Sequence, residues 1–208
     1  MDGNFVTFPI AEDSGLIVAI GEWALRQACM ANKAWLDANL PEMLVAVNVS
    51  AKQLRQKNFV DTVATVLEET GLPPRLLEIE LTESCVMQNP EQAIAILNGL
   101  KDMGVKLAMD DFGTGYSSLS YLKRLPFDKI KIDRSFVIDV ATDTDVAAIA
   151  NTIIAMAHGM HRIVIAEGVE TTEQLDFLRS NGCDEIQGYY FSRPLEDAAL
   201  VGFIKEQG

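Results

Sequence analysis

Short apolar runs alternate along this chain with longer segments whose apolar residues recur every three or four positions. The strand-like runs are Leu44–Val49 (LVAVNV), Leu76–Leu81 (LLEIEL), Val105–Met109 (VKLAM), Lys129–Ile132 (KIKI), Arg162–Ala166 (RIVIA) and Glu185–Phe191 (EIQGYYF). Helical patterns fill the gaps at Gly15–Ala38, Phe59–Thr70, Pro90–Met103, Thr144–His158, Thr172–Ser180 and Leu195–Lys205. Their ends carry the expected chemistry. Phe59, Val63, Val66 and Leu67 share one face before a stop at Gly71. Asn89 precedes Pro90 as an N-cap, an Ile94–Leu97–Leu100 stripe follows, and Gly104 ends that helix. Thr171 and Gln174 stand at capping-box spacing. Strand–helix alternation predicts an α/β fold with a parallel sheet and crossover helices, and strands this apolar suit burial on both faces. No linker, repeat or low-complexity tract divides the chain, so residues 1–208 read as one domain.

Polar residues cluster at or just beyond the C-terminal ends of these strands. They are Asn48; Glu80 and then Glu83; Asp110 and Asp111; Lys131 and Asp133; Glu167 and then Glu170; and Gln187. Loops begin at strand ends, so one such residue is commonplace, but a set recurring at every predicted strand is not. In a (β/α)8 barrel these ends converge on one face, where such barrels hold their sites. Asp110 and Asp111 can share that face only if the chain turns between them, and Gly113 and Gly115 make a turn just after easy. Gathered carboxylates repel, so protons or cations must sit among them. Oxygen donors with one amide select hard ions such as magnesium or manganese, and two such ions clamp a phosphoryl group and acidify a bound water. Lys131 is the single cation of the set, suited to a phosphate oxygen, to orienting water, or to an ion pair holding the carboxylates.

The net charge of −13 disfavours coating a nucleic acid polymer, whereas a small phosphate ligand needs only a local reversal of sign. Cys29, Cys85 and Cys183 have neither zinc nor redox spacing and read as free thiols of a reducing compartment. No apolar run approaches the roughly 20 residues of a membrane span, and no signal peptide is visible, which leads us to expect a cytoplasmic chain. Asp111-Phe112-Gly113 also occurs in protein kinases, but neither a glycine-rich loop nor a His-Arg-Asp stretch accompanies it. Gly113-Thr114-Gly115 is too short for a dinucleotide fingerprint. His158 and His161 stand three apart at a helix end, where capping explains them better than a metal.

Five stretches together resemble the EAL domain of bacterial cyclic di-GMP signalling: VNVSAKQL (Val47–Leu54), EIELTES (Glu78–Ser84), DDFGTGYSSLSYLKRLPFDKIKIDRSF (Asp110–Phe136), IAEGVETTEQL (Ile165–Leu175) and GCDEIQGYYFSRPL (Gly182–Leu195). The resemblance covers essentially the whole chain. It implies a TIM-like barrel that opens cyclic di-GMP to linear pGpG with magnesium or manganese, two ions in the complete domain. By position it makes Asn48, Glu80 and Asp110 ligands of a first metal and Asp111 a ligand of a second that Asp110 shares. Glu167 becomes a metal ligand or general base, and Lys131 the lysine near the attacking water. Glu83 supports the Phe112–Leu119 loop, which is thought to couple dimer contacts to the site. Gln53, Asp133, Gln187 and Glu170 fall at substrate or supporting contacts.

The resemblance has one gap. The Glu-Ala-Leu motif that names the family, with its following arginine, is absent, and the first residues (GNFVTFPIAEDSGLI) resemble the stretch shortly after it. The missing glutamate is a ligand of the first metal. A closed barrel also wants eight strands where six are read, so we expect an incomplete domain lacking its first one or two strands, with impaired turnover in this chain alone. It is either a segment of a longer protein, with an upstream sensory or GGDEF domain as partner, or a divergent member completed by pairing with another chain. The competing function is an inactive EAL-like module that binds cyclic di-GMP or a protein. A homodimer is implied by the resemblance alone.

Overall fold

The computed structural model describes residues 10–115 and 119–207. The chain divides into two compact units. The first runs up to Leu81 and includes Cys85–Leu107; the second takes Thr82–Ser84 and the chain from Ala108 onward.

In the first unit, helix α1 (Leu16–Asp37) buries Ile17, Gly21, Leu25, Cys29 and Asn32 along one face. A buried amide needs partners, and the Asn32 side chain donates to the Met43 carbonyl at 2.9 Å and the Leu76 carbonyl at 3.3 Å. Those bonds fix α1 against the approaches to β1 (Val45–Asn48) and β2 (Leu77–Thr82). The two strands pair in parallel, Val45 opposite Leu77 and Asn48 opposite Glu80. The one-turn helix α2 (Ala51–Leu54) opens with a capping box of Ser50 and Gln53. Helix α3 (Phe59–Thr70) buries Phe59, Val63, Val66 and Leu67 and ends at Gly71, whose φ of 67° suits glycine. Short helix α4 (Glu83–Met87) follows β2. Helix α5 (Pro90–Asp102) has Asn89 as N-cap and buries Ala93, Leu97 and Leu100, so Ala93 replaces Ile94 in the expected stripe and Ile94 is half-buried.

β3 (Lys106–Phe112) enters the second unit at Ala108, and there it runs parallel with β4 (Lys129–Ile132), β5 (Ile163–Glu167) and β6 (Glu185–Gln187), each beside the next. Between them lie α6 (Leu119–Leu122), α7 (Thr144–Gly159) and α8 (Thr172–Ser180), and α9 (Asp197–Gln207) closes the chain. Leu107, Ala108, Met109, Ile130, Ile132, Val164 and Ala166 are fully buried, in keeping with strands covered on both faces. The element order is that of an α/β fold with crossover helices, and the described residues contain six strands. The cysteines are free, Cys29 and Cys85 buried. His158 lies in the last turn of α7 and meets Asp184 at 2.8 Å, while His161 follows the helix at a φ of 58°. No described helix is long and apolar enough to cross a membrane.

Candidate functional site

The paired aspartates sit on a bulge. Met109 is opposite Ile130 and Phe112 opposite Ile132, so Asp110 and Asp111 together face the single residue Lys131. The turn that brings two successive carboxylates to one side is made by Asp111 itself, at a φ of 53°. Aspartate is one of the few side chains that tolerates this left-handed conformation. The Asp111 amide donates to Asp110 Oδ1 at 3.0 Å. Gly113, at a φ of 99°, then carries the chain away.

Lys131 emerges from β4 at the centre of this corner, 3% exposed. Its Nζ lies 2.6 Å from Glu167 Oε1 and 3.4 Å from Asp110 Oδ1. The ammonium therefore bridges the ends of β3 and β5. Asp111 is less well compensated. Burial first, then the charges of Asp110 and Asp133, push its carboxyl above the ordinary range; Lys131 acts in the opposite direction, and a hydrogen bond with the Asp133 side chain raises it further. Two carboxyl groups within hydrogen-bond reach must share a proton or a cation. Asp133 also caps the turn Arg134–Phe136, its Oδ1 accepting from the Ser135 amide at 2.9 Å.

Glu83 is 2% exposed, and its Oε2 accepts from the Gly113 amide at 3.0 Å. Its Oε1 is buried without a partner among the described residues and faces Gly115, where an added Cβ would lie 2.8 Å away. Gly113 belongs to the Phe112–Leu119 loop that Glu83 is expected to support. The rest of that loop includes Tyr116–Ser118, which lie outside the described residues.

Beyond Glu167 the chain reverses at Gly168, and Arg134 donates to Glu170 Oε1 at 2.8 Å. Gln187 ends β6 with its carbonyl accepting from Val169 at 3.2 Å. Arg134, Glu167, Gly168, Glu170, Gln187 and Tyr189 line a groove of about 240 Å³. Arg134 and Tyr189 lie within the family-like stretches Asp110–Phe136 and Gly182–Leu195 but carry no periodic signal of their own.

In the first unit, Asn48 at the end of β1 is opposite Glu80 of β2, and the Val49 amide donates to the Glu80 carbonyl at 2.9 Å. Glu78, one side-chain repeat below Glu80, is also buried. Gln53 is 6% exposed and occupied locally. Its Oε1 accepts from the Ser50 amide at 3.2 Å and from Ser50 Oγ at 2.9 Å. Its amide lies so close to Gly21 that a Cβ there would be 1.9 Å from Nε2.

Among the described residues, no three His, Cys, Asp or Glu side chains gather closely enough to hold a metal. The donor chemistry nevertheless fits a hard divalent cation: every candidate donor is an oxygen, and the Asp111–Asp133 contact is one that a cation relieves.

The EAL domain family model matches residues 3–194. The cyclic di-GMP phosphodiesterase NbdA of Pseudomonas aeruginosa is 47% identical over 196 residues, covering 94% of this chain and 25% of NbdA. The bifunctional diguanylate cyclase/cyclic di-GMP phosphodiesterase MucR of the same organism is 44% identical over 202 residues, 97% of this chain and 29% of MucR. The chain thus spans between a quarter and a third of the length of these curated relatives. A solved structure of the MucR phosphodiesterase in complex with c-di-GMP superimposes with a TM-score of 0.90 at 44% identity, covering 93% of this chain and 78% of that one. On strand order, motifs and overall likeness, this chain belongs to the EAL domain family, whose fold is a TIM-like α/β barrel.

Proposed function

We propose that this chain carries the catalytic residues of a cyclic di-GMP phosphodiesterase that opens the cyclic dinucleotide to linear pGpG. The observation that carries the reading is Lys131, buried between Asp110 and Glu167 at the ends of three neighbouring strands. A buried lysine between two acids adds little net stability, so a corner built this way is better explained by what it does to a ligand. The names of the relatives NbdA and MucR support the same substrate.

In this reading Asn48, Glu80, Asp110 and Asp111 hold divalent cations, magnesium or manganese, with Glu167 as a further donor. Bound there, two such ions supply Lewis acidity toward the phosphoryl group and lower the pKa of a water. The rest falls to the side chains. Glu167, aligned by its 2.6 Å contact with Lys131, accepts the proton of the attacking water. Lys131 donates to a phosphate oxygen and stabilises the charge that builds there. Glu83 holds the backbone at Gly113, just past the paired aspartates. Gln187 and Glu170 border the groove where a base or sugar would lie, and Asp133 and Gln53 act as supporting contacts. A cytoplasmic setting, a homodimer and an upstream sensory or GGDEF domain belong to the same proposal.

A second reading is an EAL-like module that binds without cleaving. It is favoured by the absence, among the described residues, of three His, Cys, Asp or Glu side chains grouped so as to hold a metal. The two separate in one assay. This chain, and a version extended at its N-terminus through a Glu-Ala-Leu segment, are incubated with cyclic di-GMP and manganese, and pGpG is followed by chromatography. Turnover by the extended version supports the phosphodiesterase. Binding by both without turnover supports the module.

A further inference from the structure

The turn after β4 touches both loops that flank the candidate site. Phe136 lies over Gly113, two residues beyond Asp111: a Cβ at Gly113 would be 2.8 Å from Phe136 Cε2. Arg134 lies over Gly168, the residue after Glu167: a Cβ there would be 2.4 Å from Arg134 Cγ and 2.7 Å from Cδ. Both glycines have positive φ, 99° and 72°, so at each the chain reverses directly beneath a side chain of this one turn. The turn is itself fixed, since Asp133 caps it at Ser135. The loops are anchored on their far sides as well. The Gly113 amide bonds Glu83. Val169 donates to the Gln187 carbonyl at 3.2 Å and accepts from Tyr190 at 3.0 Å, and the Glu170 amide donates to Gln174 Oε1 at 2.8 Å.

The Arg134–Glu170 ion pair is exposed on both sides and so adds little stability. Its geometry is more informative, because it lays the arginine stem flat across the Gly168 backbone. We propose that Arg134 and Phe136 are positioning residues: they clamp the loop after the paired aspartates and the loop after Glu167 to one rigid turn, so that the Glu167 carboxylate stays against Lys131. Displacement at Gly113 is thereby transmitted to Gly168. The catalytic consequence rests on the phosphodiesterase reading; the clamp itself does not.

Hydrogen exchange on the chain as it stands, without ligand, tests the clamp. Amides at 168–170 should exchange roughly tenfold faster in Arg134→Ala and near the unmodified rate in Arg134→Met, which keeps the stem without the charge. Phe136→Ala should speed exchange at 113–115 and at 168–170 together, and Phe136→Leu should largely restore both. Unchanged exchange at 168–170 in Arg134→Ala or Phe136→Ala would overturn the proposal, as would acceleration spread evenly into α7. Kinetics supply a second readout. In the version extended through a Glu-Ala-Leu segment, with cyclic di-GMP and manganese, Arg134→Ala should lose on the order of tenfold in kcat with KM nearly constant, and Arg134→Met should recover it. A rise in KM alone would make Arg134 a ligand contact instead. Absence of turnover in the version extended through a Glu-Ala-Leu segment tells against the phosphodiesterase reading, and the exchange comparison still decides the clamp.

Discussion

Lys131 and Asp111 set the electrostatics of this corner in opposite senses. Lys131 is buried with two acids in reach, so removing its ammonium takes the same compensating charge from both carboxylates. Lys131→Met should cost about 3 kcal/mol in urea unfolding, the usual scale for breaking a buried pair from one side. Glu167→Gln should cost less, because Lys131 keeps Asp110. Asp111 behaves the other way. Its folded pKa is raised, so its ionised form costs stability above the ordinary carboxylate range, and that cost vanishes as the pH falls and the group protonates. Asparagine accepts the same left-handed backbone. Metal-free Asp111→Asn should therefore melt higher than the unmodified chain at pH 7, and the two should converge below about pH 4. Manganese should reverse the order by stabilising the unmodified chain more. An equal response of both to manganese would remove Asp111 from the donor set.

The supporting helices show where local chemistry decides structure. Thr171 Oγ1 accepts from the Gln174 amide at 3.3 Å, and Gln174 Oε1 accepts from the Thr171 amide at 3.1 Å. Gln174 does more than cap: Oε1 also takes the Glu170 amide, and Nε2 donates to the Ile138 carbonyl at 2.8 Å. Thr171→Ala should cost about 1 kcal/mol, a typical cap loss. Gln174→Ala should cost about 2–3 kcal/mol, since it orphans several backbone groups at once. Equal losses would mean that the bonds to the Glu170 amide and the Ile138 carbonyl contribute nothing. This box was legible in the sequence, and so were β4, α3 and α8 to the residue, because caps and glycine stops act over a few neighbours. The apolar run of β3 stops at Met109 but the strand runs to Phe112, because the bulge at Asp111 lets the ladder resume where no apolar run announces it. The strand-like run Glu185–Phe191 keeps only Glu185–Gln187 as β6, because Gly188 packs against the Val169 backbone, with a Cβ there only 2.1 Å from the Val169 carbonyl oxygen. Ala51–Leu54 and Glu83–Met87 are too short to show a period. The strand-end carboxylates were visible because the strands before them are apolar. Arg134 and Phe136 were not, because a contact with a glycine distant in sequence leaves no local pattern.

At the scale of the whole molecule, charge and exposed apolar surface oppose each other. Thirty acidic residues against seventeen basic give −13, enough for copies to repel strongly at low ionic strength. Yet α1 presents Leu16, Ile20, Trp23 and Met30 to solvent, spaced so that they form one stripe, and Trp23 is 63% exposed. The segment after β6 likewise exposes Tyr189, Tyr190, Phe191 and Leu195. Contiguous apolar surface of this kind drives association once repulsion is screened. The screening length falls from about 10 Å at 0.1 M salt to about 3 Å at 1 M, which removes long-range repulsion and leaves apolar contact intact. Sedimentation should therefore give a smaller average mass in dilute buffer than in 1 M sodium chloride. Trp23→Glu breaks the middle of the α1 stripe at a solvent-facing position, so it should suppress the high-salt species with little change in melting temperature. A mass that falls as salt rises would instead mean that ion pairs hold the copies together, and the α1 stripe would then have no part in association.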